Sequence, residues 1–165
     1  MLEPTRREIA LCARILARLK PGFLPEEIFE EVARIGRLPT VDLIPIQQRG
    51  KDFSIGLVKR EEGARWWPGM WHLPGTFLRS TDTVNTAFKR LLDEELAIEK
   101  SSKPTFRGHL VHVSDRGAEL VLIYTIENCV LRKASTMQWC PVDKLPKNFI
   151  KSERHVVKKL KESLK

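Results

Sequence analysis

Glu94 and Glu95 close the run Arg90-Leu91-Leu92-Asp93-Glu94-Glu95, which follows an aromatic Pro-Gly turn, Trp71-His72-Leu73-Pro74-Gly75. Adjacent carboxylates repel, so they need full exposure to water or a cation nearby. A hard divalent ion that keeps some of its waters and meets a substrate phosphate is one such cation. The pair therefore predicts metal-assisted phosphate chemistry. A helical wheel of about 100° per residue groups Val84, Ala87, Phe88, Leu91, Leu92 and Leu96 into one apolar stripe. Glu95 falls near the middle of that stripe, Glu94 at its border and Asp93 on the opposite side. An unpaired buried charge is expensive. A metal or an arginine removes the cost; a frayed helix end that lets Glu95 reach water does so equally well.

Other residues suit the same chemistry. The Arg60 guanidinium has the shape to pair with a phosphate. Trp66 and Trp67 offer ring faces to a base, with loop packing as the alternative use. Trp71 reads as core. His72 reads as a structural hydrogen bonder within the turn. His109 and His112 point to opposite faces of a strand, so at most one faces a site.

The elements that must position these residues follow from periodicity. Ile9, Cys12, Ala13, Leu16 and Leu19 recur at helical steps, which predicts a helix over 4–20, ended by Pro21-Gly22. A second helix is expected over 25–35, with Glu26 and Glu27 in its first turn. Residues 41–48 and 53–60 read as strands of a hairpin, with Pro45 marking an edge or a bulge. Residues 63–75 form a loop and 81–96 the central helix. A second strand pair spans 106–113 and 118–129, turned at Ser114-Asp115-Arg116-Gly117. A last helix covers 152–164. Helices on both sides of a mixed α/β sheet are the expected architecture.

Bulk properties narrow the class. The chain has 165 residues, enough for one domain with a core. Net charge is +8 and the isoelectric point about 9.6, which favours anionic partners. The positive charge crowds both ends of the chain and reads first as solvated helix faces; nucleic acid is not expected, because a basic patch alone is weak evidence. Cys12, Cys129 and Cys140 lack metal spacing and read as reduced, mostly buried thiols. No run approaches a membrane span, and no signal-peptide core precedes the first helix, so a cytoplasmic location is expected.

Residues 76–98 resemble the Nudix box, a 23-residue signature: Gly, five residues, Glu, seven residues, Arg-Glu, apolar, any, Glu-Glu, any, Gly, apolar. Counted from Thr76, the spacing reaches Asp82, Arg90, Leu92, Glu94, Glu95, Ala97 and Ile98 without a gap. Four positions depart: Thr76 and Ala97 replace Gly, Asp82 replaces Glu, and Leu91 replaces the Glu after Arg, a magnesium ligand in typical members. Leu57-Val58-Lys59-Arg60 and Trp139-Cys140-Pro141-Val142-Asp143-Lys144-Leu145-Pro146 are similar to further family segments. The resemblance implies a Nudix-type α/β/α sandwich over 39–165, preceded by a helical extension over 1–38.

The pattern is nearest to the GDP-mannose mannosyl hydrolase branch, which also lacks the Glu after Arg. Its Phe-x-Arg-Leu run is similar to Phe88-Lys89-Arg90-Leu91, and its opening helix and Asp-bearing strand to 29–42. Arg60 and Arg90 match basic positions there. Phe77 stands where that branch has Arg, and 132–138 lacks its catalytic His.

The resemblance implies a Mg2+ (or Mn2+) dependent hydrolase acting on a nucleoside diphosphate linked to another moiety, such as a nucleotide sugar. Glu94 and Glu95 would hold the metal, with the main chain of Gly75 or Thr76. Arg90 would orient a glutamate, while Arg60, Trp66 and Trp67 would bind substrate. The alternative is a catalytically impaired Nudix-fold protein that binds a nucleotide or regulates. The N-terminal helices would cap the site or mediate a homodimer.

Overall fold

The computed structural model describes residues 3–21, 24–50 and 52–164. Its organising element is the 13-residue strand β1 (Arg37–Arg49). It pairs in parallel with β7 (Gly117–Ile126) from Arg37 to Pro45, then antiparallel with β2 (Asp52–Lys59) from Ile46 onward. Pro45 sits where β1 changes partner, rather than at a sheet edge. A residue with no N–H is tolerated where the ladder breaks. Pro39 lies within the strand too, and its carbonyl accepts from Leu78 N at 2.9 Å.

The path β3 (Trp71–His72), β2, β1, β7, β6 (Thr105–Ser114) forms the main sheet. The short strand β4 (Gly75–Phe77) adds to β1, and β9 (Gln138–Pro141) adds to β2. Strands β5 (Ile98–Lys100) and β8 (Val130–Leu131) pair separately. The sheet is mixed, as expected.

Alternation splits the interior into two cores. Ile44 and Ile46 of β1 and Val121 and Ile123 of β7 face α4 (Arg154–Ser163), which buries Val156, Val157 and Leu160. Val41 and Leu43 face the other way, toward Phe88 and Leu91. Phe88 belongs to α3 (Val84–Arg90), capped by Thr83, whose hydroxyl accepts from Thr86 N while the Thr86 hydroxyl accepts from Thr83 N. The central helix is shorter than 81–96. After Arg90 the chain widens into a π-helical turn, Leu91–Glu95, closed by Leu96 N on Leu91 O at 2.9 Å.

The two N-terminal helices differ. Helix α1 (Arg6–Leu16) buries nothing. Helix α2 (Glu26–Ile35) packs on the β6–β7 hairpin, burying Ala33, and its Phe29 ring meets Phe77 edge-on at 5.0 Å. Cys12 is exposed, and Cys129 and Cys140 are half-buried, against the expectation of mostly buried thiols; all three are unpaired.

Gly117 holds the α2 contact. It has φ +131°, and a Cβ there would stand 2.2 Å from the Ala33 carbonyl oxygen. Gly117→Ala is expected to destabilise the protein by at least about 1–3 kcal/mol in urea unfolding, from backbone strain alone. Hydrogen exchange in α2 should rise more than in α4.

Candidate functional site

The site grows out of the α4-side core. Along β1 the column Ile46-Ile44 continues into Asp42 and Thr40; along β7, Ile123-Val121 continues into Glu119. On β6, Leu110 is followed on the same face by His112 and Ser114, which pair across from Glu119 and Gly117. An apolar column thus turns polar at one end of the sheet, forming a cleft. Arg60, Trp67, Arg116, Gly75, Thr76, Phe77 and Glu153 complete its walls. The free space is about 490 Å³, open solvent included.

Four carboxylates are withdrawn from water here: Asp42, Glu95, Glu119 and Glu153. Asp42 is 9% exposed and lies against Gly75, where a Cβ would stand 2.3 Å from its Oδ1. Burial, with Glu119 and Glu95 nearby, pushes its carboxyl up to about 8. Glu153, just before α4, accepts from Leu73 N at 2.6 Å, and burial raises it well above the carboxylate range. The Glu95 side chain is 25% exposed, yet its Oε1 is buried without a hydrogen-bond partner. Burial raises it to about 7, against the pull of Arg60 and an N–H bond from Gly75. His72 stands 3.8 Å from that orphaned oxygen, and burial depresses its ring to about 4. The ring is thus neutral at pH 7, with Nδ1 donating to Leu73 O at 2.8 Å.

Cations line the opposite wall. Arg60 is half-buried, and burial together with Arg116 lowers its pKa. The Arg116 guanidinium stacks 4.8 Å from the Trp67 ring and 4.7 Å from Phe77, and donates to Glu119 Oε1 at 3.1 Å. Glu119 is 3% exposed and also accepts from Ser114 Oγ at 2.5 Å. Burial alone would raise Glu119, but His112 at 3.7 Å, a hydrogen bond from Ser114 and the charge of Arg116 hold it lower. The nearby Glu119 carboxylate in turn raises His112. Trp67 adopts φ +53°, a left-handed conformation that its surroundings must enforce. Its Nε1 donates to Asp115 at 2.7 Å.

Of the residues singled out in the sequence, Glu95, Gly75, Thr76, Arg60 and Trp67 gather at the cleft. Glu94 does not: it is exposed on the solvent side of the π-helical turn. Trp66 lines an adjoining cavity. Arg90 donates to Asp82 at 2.8 and 3.1 Å and to Phe77 O at 3.1 Å, so it clamps the 76–82 loop; the Glu94 charge is also felt by it. That clamp pulls the Asp82 carboxyl down to about 2. Ser114, Arg116, Glu119 and Glu153 were not singled out; His112, left open against His109, is the one that lines the cleft, and Asp42 entered only as the acid of the first strand. A polar residue ending an apolar strand column was a readable signal for Asp42 and Glu119; Glu153 and Arg116 carried none.

The comparisons follow from this geometry. A family model of the NUDIX domain matches residues 36–160, and the chain belongs to that family. The NUDIX domain of Shewanella oneidensis NrtR complexed with ADP ribose is similar at TM-score 0.60 and 21% identity, over 93% of this chain and 98% of that one. A MutT NUDIX hydrolase from Burkholderia pseudomallei is similar at TM-score 0.56 and 21% identity, over 74% and 98%. Shewanella oneidensis NrtR complexed with a 27mer DNA is similar at TM-score 0.56 and 18% identity, over 76% of this chain and 61% of that one. These likenesses concern the fold. Comparison with curated proteins yields no match. No helix among the described residues is long and apolar enough to cross a membrane.

The raised Glu95 carboxyl has a pH signature. A carboxyl raised on folding favours the folded state while protonated, and that contribution is lost as pH rises from about 4.5 through about 7. Glu95→Gln should therefore raise the Tm of the metal-free protein at pH 8 and leave it nearly unchanged at pH 4.5. Thermal scans at the two pH values check this.

Proposed function

We propose that the cleft binds and hydrolyses a nucleoside diphosphate linked to another moiety, with one divalent ion. The observation that carries this reading is the buried, partnerless Glu95 Oε1 beside two further buried carboxylates, Asp42 and Glu153. Uncompensated carboxylates in a low dielectric call for a cation.

Among the described residues no three or more His, Cys, Asp or Glu side chains converge as a ready-made metal cage. Magnesium does not require one: it commonly takes one or two carboxylates and completes its shell with waters and substrate phosphates. The donor set therefore fits. Glu95 and Glu153 would hold the ion, with the main chain of Gly75 or Thr76 beside them. Glu94 is left out of this assignment, being exposed. When bound, such an ion neutralises phosphate charge and acidifies a water.

The chain's own residues would do the rest. Arg60, Arg116 and His112 offer positive charge to the diphosphate, and Glu119 fixes the last two. Trp67 and Phe77 hold Arg116 by its faces. The ADP-ribose bound by the NrtR domain is a ligand of the proposed class. A nucleotide sugar stays within that class. The run 88–91 does not single one out, because Phe88 and Leu91 are core residues and Arg90 is a loop clamp.

Binding without turnover is the second reading. It is favoured by Leu91, 1% exposed in the core, at the position where the box carries Glu.

Incubation with ADP-ribose and with a nucleoside diphosphate sugar, in magnesium, separates the two by 31P NMR. Hydrolysis is expected. Glu95→Gln should lower the rate at least about 100-fold, since loss of outer-shell metal partners alone costs 10–100-fold. Glu94→Gln should stay within about threefold, as expected for an exposed side chain outside the cleft. Nucleotide-dependent thermal stabilisation with no product would establish the second reading instead.

A further inference from the structure

A second cavity adjoins the cleft. Its free space is about 1070 Å³, open solvent included, and it lies between α2 and the 61–69 loop. Ser114 and Arg116 line both cavities, so the two share a wall. We propose that this second cavity is the nucleobase subsite, and that α2 is therefore part of the ligand-binding site. The inference rests on the cleft being the diphosphate site.

The walls fit a flat, uncharged group. Trp66 and Phe29 present aromatic rings. Charged side chains balance, with Glu30, Glu31 and Asp115 against Arg34, Arg65 and Arg116. Arg34 is already paired with Glu31 at 2.6 Å and Arg65 with Glu30 at 2.6 Å. A second phosphate would gain little there. A base stacks on an indole whatever its sequence of ring substituents, and its amino groups can donate to the carboxylates.

Helix α2 also sets the geometry of the loop. Arg65 reaches Glu26 at 3.3 Å as well as Glu30, which ties the loop carrying Trp66 and Trp67 to the helix. The two indoles stand 6.1 Å apart, tilted by 52°, one lining each cavity. Trp67 serves the phosphate side through Arg116, leaving Trp66 for the base. Residues 26–35 lie outside the segment matched by the family model, which begins at 36. In this proposal the helix supplies one wall of the base subsite.

Calorimetric titration of the protein with ADP and with inorganic pyrophosphate, in magnesium, tests this. Trp66→Ala should weaken ADP binding about tenfold, the scale of one base–aromatic stack, and leave pyrophosphate unchanged. Trp66→Phe should restore most of the loss, and Glu30→Gln, which loosens the clasp, should weaken ADP alone. Equal ADP affinity in Trp66→Ala and wild type, with pyrophosphate bound by both, overturns the subsite. Failure of the wild type to bind pyrophosphate overturns the diphosphate reading and this one with it. Equal loss of both ligands in a folded Trp66→Phe also overturns it, because the ring would then serve the whole site rather than the base.

Discussion

Everything at this site depends on holding like charges out of water at the end of a hydrophobic column. Asp42 and Glu119 extend the rows of Ile and Val that build the α4-side core. Glu95 and Glu153 approach from the helix ends. In a low dielectric each charge is costly alone and strongly felt by its neighbours. The protein answers locally: a backbone N–H for Glu153, a hydroxyl, a guanidinium and an imidazole for Glu119. Glu95 Oε1 receives no such partner. That asymmetry sets Glu95 Oε1 apart from Glu119 and Glu153.

The scaffold around Glu95 is correspondingly over-determined. The Thr83–Thr86 cap starts the helix, and the Arg90–Asp82 pair ties it back to the loop that leaves β4. With Phe88 and Leu91 buried, the helix is locked before it reaches the carboxylates. The wider turn then carries Glu95 inward and leaves Glu94 in solvent. On the other side, Gly75 allows Asp42 to lie against the backbone, and the Leu73 amide holds Glu153. Turn, strand and helix thus converge on one pocket from separate parts of the chain.

Much of this was legible beforehand. Helix and strand periods, the turn at 71–75, the box spacing and helices on both sides of a mixed sheet all follow from local pattern. The placement of Glu95 on the apolar face follows from the wheel, because Phe88, Leu91 and Leu96 must be buried together. The partner of Arg90 was not legible because Asp82 is eight residues away across a loop whose path no period describes. The exposure of Glu94 was not legible because a regular wheel does not anticipate a π-helical turn. The hairpin residues His112 and Glu119 carried a weak signal: they sit where an alternating strand loses its apolar partner.

The sequence by itself determined the class of fold, the family, the helix that bears Glu95 and the turn that faces it. These are properties of residues near one another, set by periodicity, capping and turn chemistry. Only the tertiary structure decided which acids share the cleft, because Asp42, Glu95, Glu119 and Glu153 come from four elements and burial is set by all of them together. It also decided that Arg116 stacks between Trp67 and Phe77, and that α2 closes over the β6–β7 hairpin at Gly117. Contacts between distant segments have no period to betray them; they exist only once the sheet has brought the segments to one end.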